Sequence, residues 1–216
     1  MATPRSLDPH FHISTPRLTL SYFDPTQDSH CDFLAALYNN PEIKAANAGV
    51  ATAVPDREAA RRRIEQDTER QGETGYGHYL VSLTSTSDDT TGPTKPFAEH
   101  SHDLEKIGKV SLKVRKNPDA PSLPDMGFSF LPLYWGKGYA TEASRALLDY
   151  FEREKGVTRV VGFCNPDNEN SRNMFKRLGF RERGVRPVRG LTSDGREVRG
   201  LVWSRGVDGA LEEYGL

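Results

Sequence analysis

Cysteine is scarce. Cys31 and Cys164 are the only two in 216 residues, too few for a disulfide framework or a cysteine-built zinc site. Reduced thiols in a cytoplasmic protein, or a nuclear one, are therefore expected. No apolar run approaches the roughly 20 residues of a membrane span. Met1-Ala2-Thr3-Pro4-Arg5 leads into no apolar stretch, so no secretory signal is expected. Neither sign of charge prevails: 29 Lys+Arg stand against 30 Asp+Glu, a net charge of −1. That balance excludes polyanion binding by bulk charge and leaves a local basic patch open. Apolar residues make up only 36% and the mean hydropathy is −0.65, so part of the length must be polar loop.

What is present reads as one α+β domain over residues 1–216, without internal repeat or linker, its core running from about 14 to 205. The opening through Ser14 is polar and reads as frayed. Arg17-Leu18-Thr19-Leu20-Ser21-Tyr22 alternates polar and apolar and predicts a first strand. Phe33, Leu34, Leu37 and Tyr38 recur at helical spacing between Asp28 and Asn39, and Asn40-Pro41 ends that helix. A second helix is predicted from Pro55-Asp56 to Gln71, its Arg61-Arg62-Arg63 cluster on a solvated face. Gly77–Leu83 and Lys106–Leu112 read as strands. Residues 84–105 between them are rich in Ser, Thr, Asp, Gly and Pro and read as a mobile insertion in a hairpin.

After a loop from Asn117 to Pro124, Asp125–Leu131 reads as a strand stopped by Pro132. A helix from Tyr139 to Glu154 places Ala140, Ala143, Leu147, Tyr150 and Phe151 on one face, with Gly156 just beyond it. Arg159–Cys164 is a nearly continuous apolar strand. A short helix then ends at Leu178-Gly179-Phe180. Two closing strands, Arg181–Leu191 and Arg196–Ser204, flank the turn Ser193-Asp194-Gly195.

Two stretches carry chemistry. In Tyr134-Trp135-Gly136-Lys137-Gly138-Tyr139-Ala140-Thr141-Glu142-Ala143 a strand ends, a Gly-rich turn follows and a helix begins. Glycines free the backbone for close approach, and amides at a helix N-terminus make a phosphate or pyrophosphate site. A tight strand-to-helix turn without a ligand would use the same residues. It is not a dinucleotide fingerprint, because Thr141 stands where Gly or Ala is needed, and the spacing of a Walker loop is absent. In Asn165-Pro166-Asp167-Asn168-Glu169-Asn170-Ser171 a buried strand runs into a short helix. Asn168 there suits a helix cap, or else a polar pair with Ser171 aimed into a cleft.

In this order, and with Thr15-Pro16-Arg17-Leu18 at the start, these motifs resemble the GNAT N-acetyltransferase superfamily, and within it the ribosomal-protein N-terminal acetyltransferase branch. The resemblance covers residues 14 to 205. It implies the GNAT fold, a splayed and mostly antiparallel sheet with helices on both faces. It also implies acetyl transfer from acetyl-CoA, as cosubstrate, to a primary amine such as a protein N-terminus or a small-molecule amine, by direct attack and without a metal. The family's Gln/Arg-x-x-Gly-x-Gly/Ala loop maps onto Trp135 to Ala140, with Trp135 departing at the first position. The amides of Gly136, Lys137, Gly138, Tyr139, Ala140 and Thr141 would hold the CoA pyrophosphate, and Asn168 would contact CoA. The strand Asp125–Leu131 would pair with pantetheine, and a main-chain N–H at Phe130 or Leu131 would polarise the thioester carbonyl.

Many members carry Tyr where this chain has Phe175, to protonate the leaving thiolate. In the resembling branch Ser171 serves as the acid, and Asp125 is the candidate base acting through water. Phe175 leaves room for a rival, a GNAT-fold module that binds CoA or protein without turnover. Cys164 reads as inert core, and His10-x-His12 and His100-x-His102 as solvated rather than as metal ligands. Between Arg159 and Arg205 there are 11 basic and 5 acidic residues. That excess suits the phosphates of CoA as well as a nucleic acid, and without interleaved aromatics nucleic acid is not the expected partner. The acceptor and the oligomeric state have no motif.

Overall fold

The computed structural model describes residues 6–46, 54–84, 96–192 and 196–216. Eight strands form one sheet: β1 (His12–Ser14), β2 (Leu18–Tyr22), β3 (Gly77–Leu83), β4 (Lys106–Lys113), β5 (Asp125–Phe130), β6 (Val160–Cys164), β7 (Arg181–Val188) and β8 (Val198–Arg205). Their order across the sheet is β1-β2-β3-β4-β5-β6-β8-β7. Every neighbouring pair is antiparallel except β5 and β6, which are parallel. The helices are α1 (Asp28–Asn39), α2 (Pro41–Ala46), α3 (Arg57–Thr74), α4 (Phe97–His100), α5 (Tyr139–Lys155) and α6 (Glu169–Arg177).

Helices cover both faces of the sheet, as the resemblance implies. On one face α5 buries Ala143, Leu147, Leu148 and Phe151, and α6 buries Met174 and Phe175, against Leu18, Leu20, Val81, Val110 and Leu112 of the sheet. On the other, α1 and α3 bring Leu34, Leu37, Ala60 and Ile64 onto Phe23 and Leu80. A third apolar cluster, around Val161, Val188, Val202 and Leu211, seals the second half of the sheet. Local chemistry sets the helix ends. Asp56 accepts the Ala59 N–H at 2.8 Å to start α3, and Gly156 follows α5 in the left-handed region at φ 65°.

The structure departs from the sequence expectations in four places. The opening does not fray to Ser14: β1 pairs with β2, and Phe11 stacks on Tyr22 with ring centroids 4.4 Å apart. Asn40-Pro41 ends α1 and also starts α2. Asn40 Oδ1 accepts the Ile43 N–H at 3.0 Å, and Pro41 takes a first-turn position where its missing N–H is not needed. Of the stretch 84–105, residues 85–95 lie outside those described, but α4 and a 3-10 turn at Ser101–Asp103 follow. There Phe97 stacks on His12 at 4.2 Å, and Lys106 Nζ donates to the His102 carbonyl at 2.7 Å. Its polar composition therefore did not preclude packing over 96–105. The closing strands are shorter at the hairpin than expected, and residues 193–195 of that turn are also outside the described set.

One contact ties β6 to α6. A Cβ on Gly162 would overlap the ring of Phe175, which is 1% exposed and stacks on Trp203 at 5.6 Å. Gly162→Ala is expected to cost about 1–3 kcal/mol through overpacking, read as a lowered urea midpoint at unchanged slope. A midpoint equal to wild type would show that the Phe175 ring has room to move.

Candidate functional site

β5 and β6 pair only at Asp125↔Val161 and Met126↔Gly162, then diverge. On its other side β5 stays in register with β4, and the Leu131 N–H donates to the Ile107 carbonyl at 3.0 Å. Alternation along an antiparallel strand then turns the N–H groups of Phe128 and Phe130 away from β4, toward the gap. Between the two amides left open by the sequence, the one at Leu131 is committed to the sheet ladder, which leaves Phe130. The Phe130 carbonyl accepts from Trp135 Nε1 at 2.6 Å, so the half-exposed Trp135 folds the chain back at the end of β5.

Beyond Trp135 the chain turns through Gly136 at φ 74° and Gly138 at φ 82° into α5. A side chain at either position would strain the backbone. Space is not the constraint: a Cβ at Gly136 would meet nothing within 4 Å, and one at Gly138 only Arg17 Nη2 at 3.5 Å. The turn is exposed, and no side chain caps the helix. The Glu142 N–H is the first to find an intrahelical carbonyl, that of Gly138 at 3.0 Å. The amides before it stand at the positive end of a 17-residue helix, which is the geometry for an anion.

A carboxylate in the first turn works against an anion there, and Glu142 is held so that it does not. Thr15 Oγ1 donates to its Oε1 at 2.6 Å and the Arg17 N–H at 3.2 Å, while Arg17 Nε reaches Oε2 at 2.7 Å. Arg17 also donates to the Lys137 carbonyl at 3.1 Å and lies over the Tyr139 ring at 4.7 Å. Burial raises the Glu142 pKa, but these hydrogen bonds outweigh it and hold the carboxyl below its usual range. The motif Thr15-Pro16-Arg17-Leu18 is thus the brace of the Gly-rich turn. Its partner 125 residues away had no local signal.

Across the gap, Asn168 accepts the Ser171 N–H at 3.0 Å and donates through Nδ2 to the Ala46 carbonyl at 3.3 Å. It caps α6 and ties it to α2. Ser171 is partly buried one turn before Phe175. Burial pushes the Cys164 thiol up, away from nucleophilic character. Asp125 is buried, and its Oδ2 lies 2.7 Å from Arg115 Nε. Arg115 also donates to the Gly190 and Leu191 carbonyls at 3.1 and 3.2 Å. Asp125, the candidate base, is therefore half of an ion pair anchoring the segment after β7.

A cleft of about 750 Å³, within the range of small-molecule sites, opens between the sheet and α1, α2 and α3. Asp125, Phe128, Asn168 and Ser171 meet on its walls, whereas Phe130, Leu131 and the turn Gly136–Thr141 lie outside its lining. Tyr38, which the sequence marks only as helix periodicity, also faces the cleft, with Lys109 Nζ 2.6 Å from its hydroxyl. Burial raises the Tyr38 phenol, but the Lys109 ammonium outweighs this and brings it below its ordinary value. Many arginines of the basic C-terminal stretch are paired, as in Arg186–Glu212, Arg189–Glu197 and Arg205–Glu152. Among the described residues no three His, Cys, Asp or Glu side chains converge, and no helix is long and apolar enough to cross a membrane.

Comparison with known proteins finds acetyltransferases similar to this chain in sequence and in fold. Residues 17–181 match the family model described as an acetyltransferase (GNAT) domain. The uncharacterised N-acetyltransferase YnaD of Bacillus subtilis is 38% identical over 60 residues, 28% of this chain and 35% of YnaD. The aligned part thus spans about a third of that relative's length. The microcin C7 self-immunity acetyltransferase MccE, solved with acetyl-CoA and AMP, superposes with a TM-score of 0.67 at 18% identity, over 94% of this chain and 99% of its own. The ribosomal-protein-S5-alanine acetyltransferase of Vibrio fischeri gives 0.63 at 16%, over 94% and 98%. At these identities the two structures speak to the fold.

The brace around Glu142 has a pH signature. A carboxyl held below its usual value in the folded chain stabilises fully above the unfolded value near 4.3, and that stabilisation is lost as pH falls through the folded value. Glu142→Gln is expected to destabilise by about 1 kcal/mol at pH 7, since Arg17 is half exposed. The deficit should shrink toward zero in acid, as followed by denaturant midpoints from pH 7 down through the carboxylate range. A deficit independent of pH would assign the loss to packing.

Proposed function

The chain belongs to the GNAT acetyltransferase family, and we propose from this that it moves an acetyl group from acetyl-CoA to a primary amine, either a protein N-terminus or a small-molecule amine, by direct attack. The observation that carries this reading is the junction of two features. An uncapped, unobstructed row of amides leads α5, and a gap between β5 and β6 exposes the edge of β5 beside it. Gly136 and Gly138 put no side chain of their own between the amides and a pyrophosphate, and pantetheine would lie along β5 as an added strand. That MccE was solved with acetyl-CoA and AMP supports a site of this fold taking two ligands. The free thiols of Cys31 and Cys164 suit a reducing compartment such as the cytoplasm.

When bound, acetyl-CoA supplies the acetyl group as an activated thioester. The amides of Gly136, Lys137, Gly138, Tyr139, Ala140 and Thr141 would hold its pyrophosphate, Asn168 would contact it beside α6, and the Phe130 N–H would polarise the thioester carbonyl. The amine nitrogen attacks that carbon, the C–S bond breaks, and the thiolate takes a proton. Ser171 is the donor placed for it, since Phe175 has none. The attacking amine must be neutral. An α-amine, with a pKa of about 7.7–8.0, is partly so near pH 7, whereas a lysine-like amine near 10.4 is not. One water held by the Oδ1 of Asp125, the oxygen not paired with Arg115, would suffice for the former.

The tests separate binding from turnover. Gly138→Asp places a side chain and a negative charge in the turn and should weaken CoA by at least about tenfold in calorimetry, about 1.4 kcal/mol. Ser171→Ala and Asp125→Asn should lower kcat by about 10²- to 10⁴-fold while CoA affinity holds. Unchanged CoA affinity in folded Gly138→Asp removes the site. CoA binding without CoA release on any peptide or small amine would favour the non-catalytic module.

A further inference from the structure

Strands buried on both faces are apolar on both, and β4, fourth of the eight, follows this on one side only. Its Ile107, Val110 and Leu112 are 0% exposed in the core under α5. The opposite face carries Lys109, Ser111 and Lys113. Cross-strand pairing sets His78 of β3 beside Ser111, and Asp125 and Ser129 of β5 beside Lys113 and Lys109. A polar strip thus runs along the middle of the sheet, beneath α1 and α3, as the floor of the cleft.

The charges over this floor do not balance. Three cations have carboxylate partners: Arg63 with Asp67 at 2.8 Å, Arg115 with Asp125 at 2.7 Å and Lys116 with Glu73 at 3.0 Å. Three others lining the same cleft have none among the described residues. Arg70 donates to the Val114 carbonyl at 2.7 Å and Lys109 to the Tyr38 hydroxyl at 2.6 Å, both neutral groups. Lys113 forms no side-chain hydrogen bond among the described residues. Lys109 is only 9% exposed, and a buried ammonium without a counter-charge is costly to the folded state. Burial pushes Lys113 below its ordinary value, and Asp125 across the strands, already paired with Arg115, offsets this only in part. Cations so placed await an anion, and a fold that keeps such a cost at a cleft floor keeps it for a ligand.

We propose that the acceptor is a small anionic amine, whose phosphate or carboxylate lodges over Lys109, Lys113 and Arg70 while its amino group faces Phe128 and Ser171 across the cleft. Small size follows from the roofing of the floor by α1 and α3 and from the volume of the cleft, which suits a metabolite better than a folded chain. The assignment of this ligand as acceptor rests on the acetyltransferase reading; the anion site itself does not.

The test is calorimetry of O-phosphoethanolamine, aspartate, ethanolamine, alanine amide and a short peptide with an acidic N-terminus, on protein with and without CoA, followed by a CoA-release assay with each. O-phosphoethanolamine or aspartate should bind at least about tenfold tighter than the two uncharged-tail amines, the stronger of the two telling phosphate from carboxylate. Lys113→Met should remove about tenfold of that affinity and leave CoA affinity unchanged. Arg70→Met, on a helix surface, gives the same loss of anion affinity should Lys113→Met not fold. Equal binding of ethanolamine and O-phosphoethanolamine overturns the proposal, as does an anion preference intact in both variants, or tight binding of the acidic peptide alone. Failure of CoA to bind, or of any amine to release it, counts against the acetyltransferase reading, and the anion titrations are decided separately from that result.

Discussion

Two residue pairs, Asp125↔Val161 and Met126↔Gly162, couple the halves of the sheet. A sheet interrupted at its centre must leave backbone groups facing a gap, where they need partners from outside the ladder. The rest of the molecule is arranged around that condition. Trp135 covers the Phe130 carbonyl at the end of β5, Arg115 and Asp125 pin the base of the gap, and α5 and α6 both begin beside it. The Phe175 ring seated on Gly162 packs α6 onto β6 at the last paired position before the gap.

Electrostatics follow one scheme at both mouths. Each carries positive potential, from helix amides on one side and from Lys109, Lys113 and Arg70 on the other. Each also has carboxylates close enough to cancel it. Cations already in place take the carboxylates: Arg17 holds Glu142, Arg115 holds Asp125, Arg63 holds Asp67 and Lys116 holds Glu73. Paired in this way, the acids serve as braces for the backbone and leave the field at the openings positive.

The strands and long helices were legible because their apolar periods are local. The two candidate stretches stood out because glycines and a capping asparagine at helix starts are local signals, read together in one order. What escaped was whatever depends on residues far apart. β1 is three residues long and gains its place from Phe11 packing on Tyr22 and Tyr150. α2 was hidden because one Pro can stop a helix or start one, and Asn40 decided it. The alternation of Lys109, Ser111 and Lys113 was visible, but an alternating strand reads as solvated on its polar side. Only the strand order shows that this side lies in the middle of the sheet, under helices. The same holds for Asp125, whose partner ten residues earlier lies across a loop.

The position of β8 has a consequence for how the chain is made. It is the last strand in sequence, yet it lies between β6 and β7 and pairs with both. Trp203, on β8, is also the ring against which Phe175 stacks. Until β8 has left the ribosome, β6 therefore has an open edge along most of its length, and Phe175 of α6 lacks the ring it stacks on. An open strand edge is a template for pairing with another chain. The nascent protein thus carries its greatest exposure to mispairing in the interval between emergence of Cys164 and of Arg205, when the first half of the domain is complete and the second is not.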